Sequence, residues 1–180
     1  MTKRSNLHRM RIYGVLIAVF LLIGSVFGTL SVYIGDQNAI KSLVEQSKAV
    51  SLAELLWVHF AVAFLGLAAF GFVVIPFICF YRGFSIGYVV AAHIHSRGEI
   101  GLVNVLMSNH LVLLFTVPFL LCLSSLALAF SRDLFDSIRW SEGRIRTSFR
   151  LSGYLIFSGT FLLASAMFAA IAFSLQRIMN

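Results

Sequence analysis

The chain is short of charge. Only 12% of its 180 residues are Asp, Glu, Lys or Arg, against about 25% in soluble domains. Acids are scarcest, at seven, and they lie mostly at the edges of apolar runs, so no convincing carboxylate pair for acid–base chemistry can be assembled. Two cysteines, Cys79 and Cys122, both inside apolar runs, exclude a disulfide framework and fit small packed hydrophobes. There is no nucleotide-binding loop, no H-E-x-x-H and no Cys-rich metal spacing. His93 and His95 face different sides of a helix, which is poor geometry for one ion. No cofactor is expected. No Pro/Gly/Ser linker divides the chain, and no internal repeat is visible, so residues 1–180 read as a single integral membrane domain.

What is abundant is apolar. Hydrophobic residues make up 59% of the sequence, and mean hydropathy is +0.93. A soluble core cannot absorb that much apolar surface, so lipid is the expected solvent. Backbone polar groups in lipid must pair within their own segment, which makes the spans helices. The expected fold is all-α, a polytopic helical membrane bundle of about five transmembrane segments. The spans are placed at 12–34, 55–80, 82–97, 102–130 and 151–175, the third short and Gly-rich. The basic N-terminus resembles a signal peptide, but its apolar run from Ile12 to Ile34 is long and no A-x-A site follows. A retained anchor is expected. Between the first two spans, Ile40, Leu43, Val44 and Val50 recur at helical spacing and suggest an interfacial amphipathic helix. Ser51 to Glu54 then reads as a capping box.

The net charge of +7 comes from basic residues at the ends of apolar runs, which points to membrane orientation and away from nucleic acid. With the N-terminus inside and five crossings, Lys3, Arg4, Arg9, Arg11, Arg82, Arg132, Arg139, Arg144, Arg146 and Arg150 lie on the cytoplasmic side. Lys41, Lys48, Arg97 and Arg177 lie outside, a split of ten to four. A re-entrant third segment makes it seven to seven. The positive-inside rule favours five crossings, with the C-terminus outside. Arg82, Arg139, Arg144, Arg146 and Arg150 are therefore assigned to topology. The last four could also meet anionic lipid headgroups.

Gly83-Phe84-Ser85-Ile86-Gly87 spells the G-x-S-x-G of a serine nucleophile elbow. That motif needs a strand before the serine and a helix after it, and no strand pattern surrounds it. Gly83, Gly87 and Ala91 instead stand at i, i+4 and i+8, where small residues let a neighbouring backbone come close. Gly24 and Gly28 form a G-x-x-x-G face in the first span. Packing within the chain is the expected use, and a homo-oligomer is left open. Asn104, Ser108, Asn109 and His110 open the fourth span as an intramembrane polar cluster, read as interhelical glue or, alternatively, as a polar path.

The order of "FLLIGSVFGTL", "FLGLAAFGFVVIPFICFYRGFSIGYVVAAHI" and "SNHLVLLFTVPFLLCLSSLALAFS" resembles the stage II sporulation protein M family over about Ile12 to Leu175. The resemblance implies a cell-membrane protein without enzymatic activity, acting in engulfment at the septal or engulfing membrane. It would be a scaffold that anchors the peptidoglycan-remodelling stage II sporulation proteins D and P. Relatives outside sporulation imply the alternative, a permease-like subunit beside a transport ATPase. Membrane lipids are the other expected partner. The outer segment 35–54 and the turn "HSRGEIG" are the available contact surfaces.

Overall fold

The computed structural model describes residues 3–35, 52–97, 110–139 and 151–179. The expected amphipathic helix lies outside these residues, as does Ser51 of the expected capping box. Among the described residues there are five helices: α1 (Lys3–Ile34), α2 (Leu52–Gly66), α3 (Gly71–Arg97), α4 (His110–Arg139) and α5 (Leu151–Met179). No strand occurs among the described residues. Among the described residues, four helices hold segments long and apolar enough to cross a membrane: Arg9–Ile34, Gly71–His95, Thr116–Arg139 and Leu151–Ile171. The exception is α2, whose 15 residues give about 22 Å of helix against a hydrocarbon core of about 30 Å.

One boundary differs from the sequence expectation. The segment expected to span 55–80 breaks at 67–70, and the residues from Gly71 to Arg97 form one continuous 27-residue helix. The short segment is thus α2, and the Gly-rich stretch 82–97 is the second half of a long helix. The physical reason lies in the turn Leu67-Ala68-Ala69-Phe70. The turn is apolar, yet its backbone groups find partners inside the protein. Leu67 N–H donates to Phe64 O, Ala68 N–H to Leu65 O and Gly71 N–H to Ala68 O, each at 3.0 Å. Ser131 Oγ of α4 donates to Ala68 O at 2.6 Å and accepts from Phe72 N–H at 2.7 Å. The Tyr154 hydroxyl of α5 donates to Ala63 O at 2.6 Å. Lipid tolerates a chain break only where protein satisfies the freed groups, and α4 and α5 do so here.

Paired contacts fix the directions of the helices. Gly83 lies against Leu21 and Gly87 against Ser25, so α1 and α3 run parallel. The Phe72 and Phe135 rings meet at a tilt (5.0 Å) while Cys79 meets Ser124 (3.3 Å), so α4 runs against α3. Phe130–Tyr154 (4.4 Å) and Phe119–Phe168 (5.1 Å) make α5 antiparallel to α4. With α2 folding back onto α3, the five described helices alternate in direction. The centre is α4, with 56% of its span buried; it packs against each of the other four helices. Ser124, Ser125, Ala127 and Ala129 keep its buried face narrow. Around it, Ile17, Val62, Ile75, Leu120, Leu123 and Tyr154 form the core. Lipid tails are as apolar as these side chains, so close packing rather than escape from water holds the bundle together.

Candidate functional site: a glycine seam beside an intramembrane arginine

Two helix backbones come close along α1 and α3. A Cβ on Gly24 would overlap the Phe80 carbonyl oxygen and lie 2.9 Å from Phe84 N. One on Gly28 would overlap Phe84 O and lie 2.8 Å from Tyr88 N. From the other side, a Cβ on Gly83 would strike the Leu21 carbonyl, and one on Gly87 the Ser25 carbonyl. Each helix thus offers two glycines one turn apart, and each pair receives the other's backbone. Thr29 Oγ1 donates to Ser25 O at 3.0 Å and sits 3.5 Å from Gly87 O. Further along, Ala91 is buried with Val32 and Ala92. The seam ends where Tyr33 meets the His95 ring edge-on at 5.7 Å.

Arg82 is not in a loop. It lies inside α3, between Tyr81 and Gly83 of the seam. Through that register it stands level with Leu21 to Gly24, the middle of the apolar run of α1. Its Nη2 is shielded from solvent. With Arg82 inside α3 rather than at a helix end, the expected ten-to-four charge split counts nine basic residues to four. His59 of α2 is also buried, at 1% exposure. An ionisable group at this depth is costly, and such groups face a bundle interior or a polar path. Arg139 is the last residue of α4. Arg144, Arg146, Arg150, Asn104, Ser108 and Asn109 lie outside the described residues, and His110 begins α4.

Ser85 is a partly buried residue within the continuous helix α3. The strained strand-to-helix turn of a nucleophile elbow is not formed there. Ser85→Ala should leave membrane abundance and function in cells near wild type; loss of function at normal abundance would restore a chemical role. Both cysteines are free, Cys79 buried and Cys122 exposed. Among the described residues no three His, Cys, Asp or Glu side chains gather as metal ligands do.

Sequence reasoning missed Ser131 and Tyr154, which hold the α2–α3 turn. A lone serine or tyrosine in an apolar run carries no spacing signal. The available clue was the pair Gly66 and Gly71 bracketing the turn. A Cβ on Gly66 would lie 2.8 Å from Tyr154 Cζ, and one on Gly71 3.0 Å from Ser131 Oγ.

No match is found among curated proteins or among solved structures. The family model described as stage II sporulation protein M matches residues 15–173, which takes in the seam, Arg82, the α2–α3 turn and all but the last few residues of α5. With four apolar helices long enough to cross a bilayer, the chain is a multi-pass membrane protein, and it belongs to the stage II sporulation protein M family.

Proposed function

We propose that this sporulation membrane protein is a scaffold of the engulfment machinery, presenting one end of its bundle to peptidoglycan-remodelling partners. The observation that carries this reading is the parallel α1–α3 seam. Parallel helices deliver their exits to the same end, and Tyr33 and His95 touch there. The described ends of α1 and α3 therefore lie side by side. Backbone-to-backbone contact along the seam fixes their spacing more firmly than long side chains would. Stage II sporulation proteins D and P are the partners this surface would hold. The test is purification of the tagged full-length protein from sporulating cells in mild detergent. Recovery of the two wall-remodelling proteins, lost in a Tyr33→Ala/His95→Ala double variant of normal abundance, supports the scaffold. A second reading is favoured by Arg82 inside α3: a permease-like subunit with a polar path. Co-purification of a nucleotide-binding ATPase without wall-remodelling proteins would select it.

The scaffold reading requires the seam's exit end to be extracytoplasmic. The nine-to-four charge split supports that orientation, because Lys3, Arg4, Arg9 and Arg11 share an end with Arg132 and Arg139. A cysteine introduced at Ser47 should react with membrane-impermeant maleimide in intact cells, and one at Ser141 only after lysis. The reverse pattern would invert the topology and remove the partner surface.

A further inference from the structure

We propose that the cleft between α1, α4 and α5 binds one acyl chain of an anionic phospholipid, with the lipid headgroup held at Arg11. The cleft has a volume of about 510 Å³, and its walls include Gly14 of α1, Leu121 and Leu126 of α4, and Phe157 and Phe161 of α5, with Arg11 at one end. This volume falls within the range of small-molecule sites. Ser125 also lines it, but its hydroxyl donates to Leu121 O of its own helix at 2.6 Å. The walls therefore present almost nothing polar. Gly14 opens the slot: a Cβ there would have only Ser125 Oγ near it, at 3.5 Å.

Position and charge name the occupant. Arg11 immediately precedes Ile12, where the apolar run of α1 begins, so the cleft leads from the membrane interface into the hydrocarbon region. A water-soluble ligand has no route along such walls, whereas an acyl chain has one. The cleft's mouth is cationic. Arg9 and Arg11 of α1 share this end of the bundle with Arg132 and Arg139 of α4, four basic residues against Asp133 and Asp136. Arg9 approaches Asp133 at 3.8 Å, and Arg132 lies 6.0 Å from the Tyr13 ring centre. Arg11 is exposed. Basic pockets between transmembrane helices are a recurrent way of holding anionic headgroups.

The test is native mass spectrometry of the full-length protein in neutral detergent, titrated with dioleoyl phosphatidylglycerol or dioleoyl phosphatidylcholine. One phosphatidylglycerol should be retained over phosphatidylcholine by roughly fivefold or more, the preference expected from one interfacial charge. Arg11→Gln should bring the two lipids close to parity. Gly14→Leu should abolish the single-lipid adduct, while Gly159→Leu, whose surroundings are open, should keep it. Arg11 is exposed, so Arg11→Gln keeps the charge arm standing even where Gly14→Leu fails to fold. Equal retention of both lipids by the wild type would overturn the proposal. So would an unchanged preference in Arg11→Gln, or a lipid-free dimer that Gly14→Leu dissociates, which would assign the cleft to a second copy.

Discussion

Alanine at Gly24, Gly28, Gly83 or Gly87 is expected to destabilise the bundle by about 3 kcal/mol or more, whereas alanine at Gly153 or Gly159 is expected to be neutral or stabilising by up to about 1 kcal/mol. The chemical change is the same at all six positions: one methyl group on a helical glycine. Its surroundings decide the sign. At Gly153 and Gly159 an added Cβ meets nothing within 4 Å, so only the helix propensity of alanine is felt. At the seam the added carbon overlaps a carbonyl oxygen of the facing helix. Overpacking costs about 1–3 kcal/mol where side chains can turn away. A backbone carbonyl cannot turn without breaking its own helix, so the helices must separate and the whole seam loses contact. Gly24 and Gly87 press on neighbouring points of the same helix pair, so a double variant should show a smaller loss than the two singles together, because the first already opens the seam. Unfolding in detergent followed by circular dichroism reads all of these changes. A Gly87→Ala protein as stable as the wild type would mean the helices lie further apart than described.

These glycines show how far the sequence could be read. The spacing of Gly24 with Gly28 and of Gly83 with Gly87 was visible, because a helix repeats every 3.6 residues and lays i and i+4 on one face. That the two faces meet each other, in parallel, was not visible, since spacing says nothing about partner or direction. The α2–α3 break illustrates the opposite case. In water a turn announces itself by polarity. Here Leu67 to Phe70 are apolar because their surroundings are apolar, and the polar groups that satisfy the turn come from Ser131 and Tyr154, 60 and more residues away in sequence. Arg82 was misplaced for a related reason. A charge among apolar residues is the ordinary mark of a helix end, and only the structure shows that α3 continues through it.

Ser131→Ala is expected to cost about 2–4 kcal/mol, more than Tyr154→Phe, although serine loses only one oxygen atom. That oxygen, fully buried, bridges both sides of the turn. It donates to Ala68 O and accepts from Phe72 N–H. Ala68 O keeps a second partner in Gly71 N–H, so losing the serine leaves it half satisfied. Phe72 N–H is the costlier loss. It belongs to the first turn of α3, where donors have no carbonyl of their own helix to meet, and its flanking donors use Ala68 O and Phe70 O instead. Ser131 thus caps α3 from another helix. Tyr154→Phe removes one donor from Ala63 O and should cost about 1–2 kcal/mol. Hydrogen bonds between membrane helices average nearer 0.6 kcal/mol, because separated helices find other partners in lipid. A helix-end N–H at a tight turn has fewer substitutes than a side-chain hydroxyl does, which is why the larger figure is expected. The internal control is Thr160→Ala. Its hydroxyl bonds Ile156 O on the exposed face of the same α5 helix, and its loss should change little. Unfolding free energies order the three variants, and hydrogen exchange at Phe72 locates the effect. Ser131→Ala matching Thr160→Ala, with Phe72 still protected, would show that the turn holds without its bridge.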